Sequence, residues 1–201
     1  MGERDSTVTP LFPLGTVLMP GGPIMLRIFE PRYVDMIGRC MRESTGFVVT
    51  LIKNGGEVGP AAFHDMGTVA TIADWHQYDD GLLGITAIGQ HRVRLSEPRR
   101  EDDGLNVAAV EALPEEPRMA LPEEFAYLSR LLEQLIEQLG TQYAMIEVDY
   151  EDAGCVGARL AEILPLSNAK KQTCLELDHP VARLEIVSAA VREMTRQEED
   201  S

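Results

Sequence analysis

The residue types that most often do chemistry are present here, but their spacing does not assemble them. His64, His76, His91 and His179 are scattered along the chain, as are Cys40, Cys155 and Cys174. No GxxxxGK[ST] occurs, so there is no P-loop to cradle phosphates. Asn54-Gly55-Gly56-Glu57-Val58-Gly59 is glycine-rich but lacks the lysine and opens no helix, and it reads as a hairpin loop. GxSxG, HExxH and HxE…CxxC are all missing. The carboxylate pairs Asp79-Asp80 and Asp102-Asp103 fall in loops and read as solvated turn residues, not as glycosidase acids or metal ligands. His64-Asp65 could orient an imidazole. Cys–His nucleophile pairs meet in space and not in sequence, so a small cysteine-dependent enzyme stays among the readings. No cofactor, metal or catalytic residue is expected.

A different chemistry, the holding of a polypeptide, has one candidate place. Phe29-Glu30-Pro31-Arg32-Tyr33 puts two aromatic rings, a guanidinium and a carboxylate into five residues, in a chain with only 5% aromatics. Two readings compete. In the structural one, Phe29 and Tyr33 pack a sheet against a helix, Glu30 caps that helix and Arg32 sits in an ion pair. In the functional one, Phe29, Arg32 and Tyr33 border an apolar groove, with Arg32 at its rim as a handle for a peptide carboxylate or carbonyl. Met19, Met25, Met36 and Met41 lie nearby. Flexible thioethers suit promiscuous binding surfaces and core filling alike.

The elements that must position this corner follow from local pattern. Leu11, Phe12 and Leu14 form an apolar run, and Pro20-Gly21-Gly22-Pro23 must reverse the chain. Ile24 to Phe29 is a second apolar run. Pro31 suits the first turn of a helix, and Glu30 before it suits the positive end of the dipole. Over 31–43, Tyr33, Met36, Ile37, Cys40 and Met41 recur at helical spacing on one face, while Arg32, Asp35, Arg39 and Arg42 lie off it. Cys40 is therefore expected to be a buried structural thiol. Phe47 to Ile52 reads as a buried strand, followed by turn chemistry at Asn54-Gly55-Gly56. Gly67 to Tyr78 reads as another strand. Asp79-Asp80-Gly81 turns it into Leu82 to Ile88. Val93 to Pro98 and Leu105 to Leu113 flank a polar loop at 99–104. Six or seven short strands with one early helix suggest a closed or nearly closed antiparallel sheet.

The texture changes at Pro114-Glu115-Glu116-Pro117, which reads as a linker between lobes at 1–117 and 118–201. Beyond it the periodicity is helical. Phe125, Leu128, Leu132, Leu135 and Leu139 make a stripe ended by Gly140. A second helix is expected over Ala153 to Leu164, stopped before Pro165. Asn168 is the expected N-cap of a third over 169–177. Asp178 is the expected cap of a fourth, with Pro180 in its first turn and Val181, Leu184, Val187 or Ser188, and Val191 facing in.

Composition excludes several classes. Hydrophobic residues make up 44% of the 201, enough for a sizeable core. No apolar run approaches the ~18 residues of a membrane span, and MGERDSTVTP has no secretory h-region, so the cytoplasm is expected. The net charge is −15, spread as 10 basic against 17 acidic groups over 1–117 and 8 against 16 over 118–201. Nucleic acid and anionic membrane are recognised through clustered cations, and this field repels both. Three widely spaced cysteines with no CxxC argue against a disulfide framework or zinc knuckle.

The stretch LFPLGTVLMPGGPIMLRIFEPRY, above all IFEPRY before an apolar helix, resembles the opening signature of the Lon N-terminal family, the substrate-recognition domain of ATP-dependent Lon protease. The likeness continues in Gly67-Thr68-Val69-Ala70, in Ile88-Gly89-Gln90-His91-Arg92 and in Leu164-Pro165-Leu166-Ser167, and spans roughly residues 10–190. It implies an α+β fold: an N-terminal PUA-like antiparallel β-barrel with one helix, then a C-terminal α-helical bundle. It also implies a non-catalytic protein- and peptide-binding module that takes exposed apolar segments. Unfolded or partly unfolded polypeptides are then the expected partners, with full-length Lon protease as a further one. PUA-like barrels elsewhere bind RNA, which keeps nucleic-acid binding as the alternative, against the charge.

Overall fold

The computed structural model describes residues 8–55, 61–143 and 145–199. Two compact units divide after Pro114.

The first unit is one sheet and one helix. Its elements are β1 (Val8–Leu14), β2 (Pro23–Ile28), α1 (Pro31–Glu43), β3 (Phe47–Gly55), β4 (Ala61–Gln77), β5 (Leu83–Arg100) and β6 (Asn106–Ala112). The order across the sheet is β2-β5-β4-β3-β1-β6, and β5 pairs with β6 as well. β1 and β3 run parallel, Leu11 opposite Val48 and Leu14 opposite Leu51, so the sheet is mixed and the all-antiparallel expectation is corrected. Parallel neighbours need a crossover between them. Here β2 and α1 supply it, and local pattern in β1 or β3 carries no sign of which way the two strands would run.

Both faces of the central strands are covered. Phe12, Phe47 and Val49 join the cluster that contains Tyr33, Met36, Ile37 and Cys40 of α1. Leu11 and Val48, on the opposite face, join Val93, Leu95 and Ala108. Alternation along a strand sends neighbours to opposite faces, and burial of both makes the run apolar throughout. This is why Leu11-Phe12 and Phe47 to Ile52 lack any polar alternation.

Where two strands were expected at 82–88 and 93–98, one long β5 runs through. It serves three partners in turn: β2 along Leu83–Ile88, β4 as far as Arg94, and β6 from Val93 onward. Its register with β6 slips between Ser96 and Arg99, where Glu97 takes φ 50°. That bulge bends the strand without ending it. The Asp79-Asp80-Gly81 turn forms, with Gly81 at φ 82°. The other expected turn begins at Asn54-Gly55, which end β3, and its remaining residues 56–60 lie outside the described residues.

Pro20-Gly21-Gly22 reverses the chain, with Gly22 N–H donating to the Met19 carbonyl at 3.0 Å. Gly89 clasps the same turn: its N–H donates to the Gly22 carbonyl (2.9 Å) and its carbonyl accepts from Gly21 (2.8 Å). A Cβ at Gly89 would stand 2.4 Å from the Met19 carbonyl oxygen, so nothing larger fits. Beside it Thr68 Oγ1 donates to the Leu18 carbonyl at 2.6 Å, in the buried interior.

In the second unit, α2 (Ala126–Leu139), α3 (Ala153–Ile163), α4 (Asn168–Glu176) and α5 (Pro180–Glu199) follow a 3-10 turn at Glu123–Phe125. Asp152 starts α3: one carboxylate oxygen accepts from Cys155 N–H at 2.8 Å, the other from Met119 N–H at 2.9 Å. The expected cap of α4 is off by one, since Ser167 Oγ accepts from Lys170 N–H and Asn168 is already helical. α3 meets α5 at Gly157, where a Cβ would lie 3.4 Å from Arg183 Cδ and 3.5 Å from a Leu184 methyl. Leu128 and Leu132 of α2 are buried, but the stripe surfaces toward its end, leaving Leu139 37% exposed.

Candidate functional site

At the start of α1 the three candidate residues part company. Tyr33 is buried and stacks on Phe12, ring centroids 4.1 Å apart at 8°. Phe29, one residue beyond β2, is 60% exposed. Arg32 is 7% exposed even though helical spacing sets it off the apolar face. Its Nη1 donates to the Gly104 carbonyl at 2.8 Å, its Nη2 meets Glu30 Oε2 at 2.7 Å, and its guanidinium lies 4.7 Å from the Tyr33 ring centroid. Glu30 is the N-cap residue by position, yet its side chain makes no cap hydrogen bond. Its carboxylate goes to Arg32 instead. The guanidinium therefore ties the first turn of α1 to the β5–β6 turn, and only Phe29 of the three offers area to a ligand.

The methionines also divide. Met19 and Met36 are buried to 1% exposure, whereas Met25 and Met41 are 59% and 40% exposed. Spacing sets Met41 on the inward face of α1, but it is 40% exposed and borders open space instead of core. A cleft of about 490 Å³ opens at this end, lined by Met41, Ser44 and Thr45 and by Thr71 to Trp75 of β4. That volume lies within the ~300–1,000 Å³ of ordinary ligand clefts. Trp75, the chain's single tryptophan, is 56% exposed. Its role was not legible in advance: Trp75-His76 within a β-rich run read only as strand. The cue is the polar company of that Trp, flanked by Asp74 and His76 in a segment with no inward alternation.

On the same hairpin Gly84 leaves room for rings. A Cβ there would stand 2.4 Å from His76 Nε2 and 2.8 Å from a Tyr78 ring carbon. His76 meets Tyr78 edge-on at 4.5 Å, and Arg27, paired to Asp80, lies 4.8 Å from the Tyr78 ring centroid. His76 is thus a packing group of the hairpin.

The three thiols are not activated. Burial pushes the thiols of Cys40, Cys155 and Cys174 above the ordinary range, so the thiolate is disfavoured at each. Cys40 Sγ donates to the Gly46 carbonyl, and Cys155 Sγ accepts from Asp149 N–H. Among the described residues no three of His, Cys, Asp and Glu come together to hold a metal ion. No helix among them is long and apolar enough to cross a membrane.

The second unit buries two of its guanidinium groups. Arg183 is 2% exposed; its Nε donates to the Cys174 carbonyl at 2.8 Å, and both terminal nitrogens grip the Glu116 carboxylate. Arg159 Nε lies 3.3 Å from Glu162 Oε2, and Lys171 Nζ donates to the Glu162 carbonyl at 2.8 Å. Burial outweighs both cations and pushes the Glu162 carboxyl up to about 7. Helical spacing carries no mark for a buried guanidinium or carboxylate, and both pairs escaped the sequence reading.

Comparison with known proteins agrees with this architecture. The sequence matches the ATP-dependent protease La (LON) substrate-binding domain family over residues 8–193. A Lon N-terminal domain protein from Xanthomonas campestris, solved by crystallography, is 35% identical with a TM-score of 0.76, covering 91% of this chain and 98% of that one. The N-terminal domain of Mycobacterium avium complex Lon protease shares the fold at a TM-score of 0.64 and 15% identity. Cereblon from Gallus gallus is 28% identical over 114 residues, and a LON peptidase N-terminal domain and RING finger protein from Schizosaccharomyces pombe is 25% identical over 221. The matched regions span 25% and 45% of those two relatives. With the family match running through both units and a solved relative superposing over nearly its whole length, the chain belongs to the LON substrate-binding domain family.

Proposed function

We propose that this protein is a non-catalytic recognition module that binds exposed apolar segments of unfolded or partly unfolded polypeptides. The observation that carries this is the family match over 8–193, a family described by substrate binding. The surface supports it. Met25, Phe29, Val34, Met41 and Trp75 are all at least 40% exposed and lie in the first unit, against Met145 at 47% in the second. In this reading Phe29 touches the client, while Arg32 and Tyr33 hold the turn that presents it. The β5–β6 pairing, which brings the end strand β6 round to β5 beside the opposite end, supports a PUA-like barrel for the first unit, and the four helices support a bundle for the second. A full-length Lon protease is a candidate partner, and the cytoplasm the candidate compartment.

The affinity is modest by arithmetic. Covering about 300 Å² of apolar surface at ~25 cal/mol per Å² gives roughly 7 kcal/mol gross. That gross figure alone corresponds to a Kd of about 10 μM; ordering a flexible chain and losing its free translation weaken it further, to a value on the order of 100 μM. Titration of dye-labelled denatured casein, followed by anisotropy, tests the reading. Saturable binding in that range is expected, with no ATP hydrolysis and no casein cleavage. Absence of binding at several hundred micromolar would sink it.

A further inference from the structure

Strand β4 extends past its neighbour. On one side β5 pairs with it from Met66 to Gln77, its register slipping between Thr68 and Ala70 and between Ile72 and Asp74; on the other, β3 reaches only Ala70, opposite Phe47. Ahead of Phe47 the chain turns off into α1 through Ser44, at φ 53°. Among the described residues, then, 71–77 carry a ladder on the β5 side alone. Thr71 and all of Ala73 to Gln77 are exposed. One group on this edge shows how it is kept in the free protein. Trp75 N–H donates at 2.8 Å to Asp74 Oδ1, its neighbour's own side chain, in place of a strand carbonyl. The edge borders the cleft between Met41 and Trp75 described above.

We propose that this edge, residues 71–77, accepts an extended polypeptide segment as an added strand, and that the segment it takes alternates apolar side chains with Lys or Arg. The inference rests on the recognition function and deepens it by naming the place, the mode and the chemistry of the client. Unpaired ladder groups are satisfied by another extended backbone, which supplies alternating N–H and C=O at matching repeat. Trp75 and Met41 offer apolar area to alternate side chains of the incoming strand. Charge selects the rest. Residues 71–80 hold Asp74, Asp79 and Asp80 and no Lys or Arg, in a chain of net charge −15. Asp80 is paired with Arg27, while among the described residues Asp74 holds only the Trp75 N–H. On docking, Asp74 swings off that N–H, which then donates to a carbonyl of the client, and its carboxylate meets a client cation. A second copy of this chain would bring the same three aspartates to the edge and be repelled.

The test uses the full chain and its single tryptophan as reporter. The probe is a dye-labelled, Trp-free nonapeptide alternating Val and Lys. Two controls accompany it: a twin with every amide N-methylated, and a twin with Glu for Lys. Anisotropy reads binding anywhere on the protein, and tryptophan emission reads occupancy of the edge. The expected result is a blue shift of Trp75 emission that saturates together with anisotropy, and at least tenfold weaker binding of both twins. Equal binding of the N-methylated twin, or binding without a Trp75 shift, overturns strand addition while leaving polypeptide recognition standing. A Trp75 shift that rises with protein concentration alone assigns the edge to a second copy and also overturns it. Failure of the probe with denatured casein still bound refutes the edge alone; failure of both refutes the recognition function itself.

Discussion

Replacing Arg32 by Ala separates a contact residue from a structural one. The parent side chain makes two charge-assisted hydrogen bonds, to Gly104 and Glu30, from a position 7% exposed. Hydrogen bonds to charged groups contribute about 1.5–3 kcal/mol each. Glu30 keeps 19% of its side chain exposed, so water takes over part of what Arg32 supplied, and the sum must be discounted. The stem also packs beside Tyr33, and its loss adds a cavity contribution. The expected destabilisation is about 2–3 kcal/mol. If the first unit melts by itself, a domain of that size loses roughly 10–15 °C in Tm; if both units unfold together, about half of that. Differential scanning calorimetry of Arg32→Ala gives the Tm. Anisotropy with denatured casein, at a temperature where the variant is folded, gives the affinity, which should stay within twofold of the parent. Phe29→Ser is the converse control, with unchanged melting and weaker binding. An Arg32→Ala protein that melts within a degree of the parent and loses binding would falsify the structural role and return Arg32 to the rim of a groove.

Three further outcomes are expected. Glu162 has its carboxyl raised from 4.5 to about 7, so the folded state holds a proton that the unfolded chain releases. Its contribution to stability is present below pH ~4.5 and is lost as pH rises through about 7, with a slope of at most ~1.4 kcal/mol per pH unit. Urea unfolding between pH 5 and 8 should show this decline, and Glu162→Gln should flatten it; an unchanged slope refutes the assignment. Gly89→Ala drives a methyl to 2.4 Å from the Met19 carbonyl oxygen and prises the 20–23 turn from β5. It should cost about 2 kcal/mol or more in chemical denaturation, since overpacking against backbone has no flexible end to move; a neutral result would mean the turn is loosely held. Native-state alkylation at pH 7.5 should be slow at all three thiols, with Cys155 first because Cys40 and Cys174 are buried. Rapid modification of any one would restore the cysteine-enzyme reading.

Much of this molecule was legible because local rules and tertiary packing agree in it. Pro31 after an apolar run, with Tyr33, Met36, Ile37 and Cys40 at helical spacing, placed α1 at residues 31–43, where it lies. The Gly21-Gly22 reversal, the Asp79-Asp80-Gly81 turn and the stop at Gly140 each depend on a backbone conformation that few residue types accept. Charge alone, −15 with no basic cluster, speaks against phosphate-bearing partners. The apolar runs of β1 and β3 announced strands, though not their parallel pairing, because direction depends on the crossover and not on either run.

What tertiary structure decided was where each polar group finishes. Helical spacing puts Arg32 outside, yet the β5–β6 turn brings the Gly104 carbonyl over it, and a buried guanidinium results. Arg183 and Glu116 stand 67 residues apart and meet because Pro180 starts α5 beside the segment that follows Pro114. The backbone edge at 71–77 is open because β3 stops opposite Ala70 while β4 continues, a mismatch of two strand lengths that neither strand encodes alone. Sequence determines what a residue can do through its chemistry and its local backbone. Whether that capacity is spent inside the protein or left for a partner depends on which distant element arrives to meet it.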